Sequence, residues 1–482
     1  MHATTIPATP FVPDLPKRDR RVAPAIWSAF AWVLIAALVG ASIYGAAPFF
    51  RDDRPAESTM KAFQPGTATP EVASEAGEVN YGGDAGSTWY VGDVDPFTGE
   101  ASVVGNLGSP SMNVMSQPLV IGDTIIATVF DPATTDDSAI QTIRYDLTTG
   151  ERLWTSRTPL SGPFATDGEF VYGLTTAFFP DDPPSPGAIR LDNGDLEMGL
   201  APWSVEPTSS PGPVVANGVA CFTDAFGNVN AVDPANINTV FFPPVQIGYL
   251  GEHPERPGFG ANIPETDLVM SEEWLFVVRP SKTVVKYDRR TGEELGSFNL
   301  VDTLRGEVGE VTLQVVRNRL VVTAAYADIP LEAAARPASI LLYDADSLIP
   351  VARGDMPDLR SNLVVTPDWI YLAGRMDVDR PVQIYRMNPV GATFGEPFPD
   401  FAAPAEAWLG LSLSGRTLMV VGPPNLVALI DVEQRTVIRS EHVELADGDS
   451  LTVFPMQLWG RTPVTVSTGG AIVVFSDDSS QP

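Results

Sequence analysis

Short apolar runs, each entered through a polar or glycine turn, recur about every fifty residues along this chain. The turns are Gly122-Asp123, Asp167-Gly168, Asn217-Gly218, Glu272-Glu273, Arg317-Asn318, Pro367-Asp368, Ser414-Gly415 and Gly469-Gly470. The runs behind them include Thr124–Ala127, Phe170–Tyr172, Trp274–Val278, Leu320–Val322, Trp369–Leu372 and Leu418–Val421. β-Branched and aromatic residues dominate them and turn formers bound them, so each reads as a strand. They are solidly apolar and do not alternate, which implies that neighbouring sheets cover both faces of each strand.

An acidic or amide residue ends the following strand in each unit: Asp95, Asp146, Asp192, Asp233, Asp288, Asp344, Asn388 and Asp431. In Tyr145-Asp146-Leu147-Thr148-Thr149-Gly150-Glu151 the aspartate can cap its own turn, and the glycine supplies a positive φ. These aspartates therefore read as hairpin residues, ahead of metal binding or catalysis. A strand-built repeat of this period predicts an all-β fold: an eight-bladed β-propeller of four-stranded antiparallel blades over 87–478. Uneven spacing between the two series leaves seven blades open. The last turn is followed by one run, Ala471–Phe475, and the first run, Trp89–Val94, has no inner strand before it. Trp89–Val94 is therefore expected to pair beside Ala471–Phe475 and close the ring, which removes exposed sheet edges.

The N-terminal part has a different pattern. Residues 1–21 are polar, with Pro7, Pro10, Pro13 and Pro16 at every third position, and read as a short polyproline II tail. Residues 22–50 carry no charge and include Ile26, Trp27, Phe30, Trp32, Leu34, Leu38, Ile43 and Tyr44. That length predicts a transmembrane helix with aromatic anchors near both ends. Lys17, Arg18, Arg20 and Arg21 precede it more densely than Arg51, Arg54 and Lys61 follow it. The positive-inside rule then puts the tail in the cytoplasm and the remainder outside, a single-pass plasma-membrane topology with an uncleaved signal-anchor. Residues 51–86 are rich in Pro, Ala, Glu, Gly, Ser and Thr and read as an extracytoplasmic stalk.

The formal net charge of −30 excludes a general nucleic-acid binder, because phosphates need a basic surface. The one cysteine, Cys221, lies in the apolar run Val219–Phe222 and reads as a buried strand residue. His2, His253 and His442 are far apart and make no zinc or haem pattern with it. No phosphate loop, HExxH segment or serine–histidine–acid set appears, so no catalytic, cofactor or metal residue is assigned.

The segment Tyr145-Asp146-Leu147-Thr148-Thr149-Gly150-Glu151-Arg152-Leu153-Trp154 resembles the repeat of the quinoprotein dehydrogenase-like (PQQ-like) propellers. The likeness is clear again at Asp288 and partial at Asp95, Asp192 and Asp431. It implies an eight-bladed ring in which a closing tryptophan docks against the neighbouring blade. The family's alcohol dehydrogenases also have adjacent cysteines, a calcium-bound quinone and a catalytic aspartate. With Cys221 alone and no residue matching those roles, the resemblance implies a non-catalytic, membrane-anchored member without a cofactor.

The widest insertions between strands are the expected functional surface: 131–137, 178–184 and 248–264. In the third, Tyr249, His253, Arg256 and Phe259 mix aromatic and cationic character as a partner-contact loop would. The expected function is a protein-interaction scaffold in the cell envelope, held by 22–50 and contacting an envelope or membrane protein. The alternative is a small-ligand sensor or quinone-dependent dehydrogenase-like enzyme that uses the central channel. Converging carboxylates, an arginine and a stacked tryptophan would favour that alternative.

Overall fold

The computed structural model describes residues 89–476, except 108–111, 134–138, 157, 176–184, 200–212, 217–218, 224–227, 234–235, 241–244, 247–267, 272, 280, 290–291, 307 and 327–334. All described residues fall within the unit Pro65–Pro482. They form an all-β, propeller-like succession of hydrogen-bonded sheets. In chain order the sheets cover 113–156, 160–199, 214–246, 268–299, 308–356, 358–394, 410–442 and 457–476. They are numbered first to eighth below.

Apart from one parallel strand added to the seventh, each sheet runs innermost to outermost strand through antiparallel pairs. In the fifth, Val308–Val316, Arg319–Tyr326, Ala338–Asp344 and Pro350–Met356 pair in sequence. The uniform four-stranded blade is corrected, since four of the sheets have four strands and four have five. The fifth strand arises in three ways. In the third sheet the outer strand is split, so that Asn236–Val240 and Val245–Gln246 both pair with Asn228–Asp233. In the first and sixth sheets the innermost strand is split, so that Asn113–Val114 and Leu119–Ile121 both pair with Thr124–Phe130. In the seventh sheet a strand from the N-terminal side is added.

That added strand corrects the expected closure. Tyr90–Gly92 does not pair beside Ala471–Phe475. It lies parallel to Gly410–Ser414, on the free inner edge of the seventh sheet, and Trp89 is buried between the sixth and seventh sheets. The chain then crosses the turns of the seventh and eighth sheets. There Arg416 N donates to Asp95 Oδ1 at 3.0 Å and Phe97 N donates to the Arg461 carbonyl at 2.7 Å. Glu100–Asn106 finally pairs antiparallel with Ala471–Ser476 as the outer strand of the eighth sheet. The reason is physical. An outer strand is half exposed, so Glu100–Asn106 lacks an apolar signature, whereas the apolar Trp89–Gly92 goes to the interior.

Core clusters bridge successive sheets. Val321, Ile340 and Leu342 of the fifth pack with Val365, Ile370 and Leu372 of the sixth. Met419 and Leu429 of the seventh pack with Val473 and Phe475 of the eighth. Val464, Val466 and Ile472 of the eighth pack with Val120, Ile125 and Ala127 of the first. This double coverage explains the solid apolar runs. Polar side chains also tie the innermost strands together. Gln314 Nε2 donates to the Leu363 carbonyl at 2.8 Å, and Asn362 makes two 2.8 Å bonds to the main chain of Leu411. Ser412 Oγ donates to the Met456 carbonyl at 2.6 Å.

Among the described residues no helix is long and apolar enough to cross a membrane. The helix Leu300–Leu304, capped by Asn299, is five residues long. The expected span 22–50, the tail 1–21 and the stalk 51–86 lie outside the described residues. The membrane-anchored, single-pass reading is therefore withdrawn, and with it the plasma-membrane localisation and the envelope or membrane partner that rested on the anchor.

Candidate functional site

The sequence-predicted contact residues Tyr249, His253, Arg256 and Phe259 lie outside the described residues, as does the insertion 178–184. Of 131–137 only Asp131, Pro132 and Ala133 are described, and Asp131 Oδ1 accepts the Ala133 N–H in a local turn. Of the residues read as hairpin residues, Asp146, Asp344, Asn388 and Asp431 accept main-chain N–H groups of their own turns. Asp146 Oδ1 accepts the N–H groups of Thr148 and Thr149, each at 2.8 Å, and those bonds, Thr149 first, hold its carboxyl below the ordinary aspartate range. Gly150 closes the same turn at φ 70.

The chemistry-bearing group that the structure assembles lies at the other end of the strands, away from the recurring turns. In the sixth sheet the innermost strand is interrupted between Asp358–Leu359 and Val364–Val365, and both pieces pair with Ile370–Arg375. The register sets Asp358 opposite Arg375. The Asp358 carboxylate, 0% exposed, accepts from Arg375 Nε and from Arg360 Nε at 2.9 Å, and both guanidinium side chains are buried. It also accepts the main-chain N–H of Arg336 at 2.7 Å. Arg336 belongs to the loop between the second and third strands of the fifth sheet. The Arg336 carbonyl accepts the Leu359 N–H at 2.8 Å, so this loop is fastened to the sixth sheet from both sides.

Three further contacts extend the group. Arg375 Nη1 donates to the Val378 carbonyl, which fixes the loop after its own strand. The Arg360 carbonyl accepts the Leu409 N–H at 2.8 Å and so reaches the seventh sheet. The Arg336 guanidinium lies 5.4 Å from the centroid of the half-buried Trp408 ring. One carboxylate, three arginines and a stacked tryptophan thus meet where three sheets abut. Burying one carboxylate between two guanidiniums costs desolvation that only this dense bonding can offset.

The sequence carried one faint sign of this site. Asp358 and Arg360 stand two residues apart, on one face of an extended segment, and belong to neither turn series. Their convergence with Arg336, Arg375 and Trp408 depends on the register and on the next sheet, which periodicity does not specify.

A metal-bound quinone, as the resemblance implies for the family's enzymes, does not fit these residues. The site's one carboxylate is committed to two guanidiniums, and no group of three or more His, Cys, Asp or Glu that could hold a metal is found among the described residues. The only cysteine, Cys221, leaves no adjacent pair.

No family model matches the chain, and no curated protein matches it. Solved structures do. The computationally designed Ika8 protein aligns over 78% of this chain and 99% of its own at 12% identity, with a TM-score of 0.53. A europium-containing methanol dehydrogenase aligns over 82% of this chain and 91% of its own at 10% identity, with a TM-score of 0.53. The quinohemoprotein alcohol dehydrogenase from Comamonas testosteroni aligns over 86% and 82% at 9% identity, with a TM-score of 0.50. At these identities the likeness establishes a shared propeller-type fold with quinoprotein dehydrogenases and speaks to nothing finer.

Proposed function

We propose that the strand-built region binds a small, planar organic anion at the end of the innermost strands, where Trp408 offers a ring face and Arg336 a guanidinium. The observation that carries this reading is the meeting of Arg336, Asp358, Arg360, Arg375 and Trp408. Ligand pockets combine an aromatic wall with a few fixed polar groups, and the buried Asp358 pair holds the polar groups rigidly. The likeness in fold to a methanol dehydrogenase and an alcohol dehydrogenase supports a ligand here over a scaffold role. No redox step is derived, because the residues do not supply the donors that a metal-bound quinone needs.

The test is titration of the intact protein with pyrroloquinoline quinone, a planar polycarboxylate, with and without calcium, followed by tryptophan fluorescence. Saturable quenching that is lost in Arg336→Ala and Trp408→Leu is expected. Absence of saturable binding, or binding unaffected by either substitution, would overturn the reading. Dye reduction with alcohols and sugars then separates a sensor from an enzyme.

A further inference from the structure

At the turn end of the sheets a long cation recurs at one position, and in two sheets it reaches the next sheet. Two residues before the acidic or amide residue that ends the third strand, four sheets place a long cation: Arg144, Arg190, Lys286 and Arg386. Arg144 Nη1 donates to the Leu191 carbonyl of the next sheet. Lys286 Nζ donates to the Asp346 carbonyl of the next sheet at 2.6 Å and sits 3.7 Å from the Trp274 ring centroid. Arg386 lies 4.4 Å over Trp369.

The third, fifth and seventh sheets lack the cation, with Ala231, Leu342 and Leu429 in its place. In the fifth, Leu342 is fully buried in the core shared with the sixth sheet. At the turn end of these two sheets a cleft of about 360 Å³ is walled by Val316, Val351 and Pro367, with Arg317, Arg319 and Asp344 also lining it. That volume suits a small organic ligand.

The charges in the cleft are unevenly committed. The Asp344 carboxylate is taken up by Ser347 N at 2.8 Å, Ser347 Oγ at 2.7 Å and Asn318 Nδ2 at 2.9 Å. Arg319 Nη1 donates to the Pro367 carbonyl at 3.1 Å, and burial lowers its pKa with Asp368 opposing. Arg317 sits exposed in the turn at φ 51 and has no hydrogen-bond or ion-pair partner among the described residues. A chain of net charge −30 thus keeps two guanidiniums beside one cleft without an ion pair to its carboxylate.

We infer that this cleft is a separate ligand site for a small anion with an apolar body, an aryl or branched alkyl carboxylate or phosphate ester. The anion lies between Arg317 and Arg319, and its body lies on Val316, Val351 and Pro367. Guanidinium forks suit both oxyanions, and the apolar walls select against bare inorganic ions.

Isothermal titration of the intact protein at low ionic strength, with phenyl phosphate and separately with benzoate, tests the site. Saturable binding of at least one probe is expected, and the tighter one identifies the anion. Arg317→Asn, which the left-handed turn tolerates, should weaken it at least about tenfold, and added salt should weaken it further. Arg439→Ala, on the outer strand of the seventh sheet and away from both the cleft and Trp408, should leave it unchanged. An unaltered urea midpoint in Arg317→Asn confirms that the fold is intact. No saturable binding of either probe, or equal affinity in Arg317→Asn, overturns the inference.

Discussion

The side-chain oxygen of Gln457, on the eighth sheet, accepts the main-chain N–H of Val120 on the first sheet at 2.5 Å, across 337 positions of sequence. Both partners are buried, and the bond joins the two ends of the sheet succession. Gln457→Met keeps the volume and removes the acceptor, leaving the Val120 N–H buried without a partner. The expected loss is about 1–3 kcal/mol, read as a lower urea midpoint. An unchanged midpoint would show that the seam does not depend on this bond.

Gln117 makes the opposite prediction. Ser116 Oγ accepts the Thr128 N–H at 3.0 Å as Ser361 Oγ accepts the Ala373 N–H at 2.7 Å, so Gln117 occupies the place of Asn362. Asn362 bonds the next sheet through both amide atoms, whereas neither amide atom of the buried Gln117 finds a partner among the described residues. Gln117→Met removes an unsatisfied buried amide at similar volume. The urea midpoint should hold or rise, by up to about 1 kcal/mol of stability. A clear fall would indicate that an ordered water or ligand satisfies the amide.

Asp358→Asn should be among the most damaging single substitutions in the described region. It leaves the buried Arg360 and Arg375 guanidiniums without their shared counter-charge. Breaking such a pair from one side costs about 3–5 kcal/mol. Adding Arg375→Met to Asp358→Asn should recover part of that loss, because the two sites share one interaction. Urea melts of the two single variants and the double variant measure the coupling. Strictly additive losses would mean that the pair acts independently.

The legible part of this chain was the part governed by local rules. Asp146 and Gly150 could be placed in a hairpin because capping and positive φ depend on neighbours in sequence. The runs behind the turns could be read as strands covered on both faces for the same reason. Closure was misread because Trp89–Gly92 looks like any apolar strand, and only tertiary packing decides that it takes the inner edge of Gly410–Ser414. The five-stranded sheets were missed because Asp358–Leu359 and Val364–Val365 share one neighbour across a break that periodicity does not register. The Arg336–Trp408 contact joins loops of different repeats, and a repeat averages such differences away.

Asp449 should confer acid sensitivity on the eighth sheet. Burial raises its pKa, but hydrogen bonds from Ser467, Gly469, Thr468 and Ser450 together outweigh that and hold it below the ordinary aspartate value. A folded-state pKa below the unfolded one means stability that is present above the unfolded value, about 4, and lost as the pH falls through the folded value. Asp449→Asn should be less stable than the parent at pH 7, with the difference narrowing below about pH 4. Thermal melts across that range measure it. A difference that does not vary with pH would remove the carboxylate from the account.

Cys221 is the natural reporter for the core between the second and third sheets. It is buried and reduced, pairs in register with Val214 and Ala231, and has neighbours Ala220 and Phe222 that pack with Phe170 and Tyr172. Burial pushes the thiol up to about 12, with Arg289 opposing. Only the thiolate reacts with alkylating agents, so both access and ionisation protect it in the folded state. Iodoacetamide at pH 8 should leave the native protein unmodified and label it fully in urea, with the labelling rate following the opening of this core. Val215→Ala and Phe222→Ala, which loosen the surrounding packing, should accelerate native-state labelling, and Val437→Ala in the distant seventh sheet should not. Rapid labelling of the unperturbed protein would show that the second and third sheets separate readily.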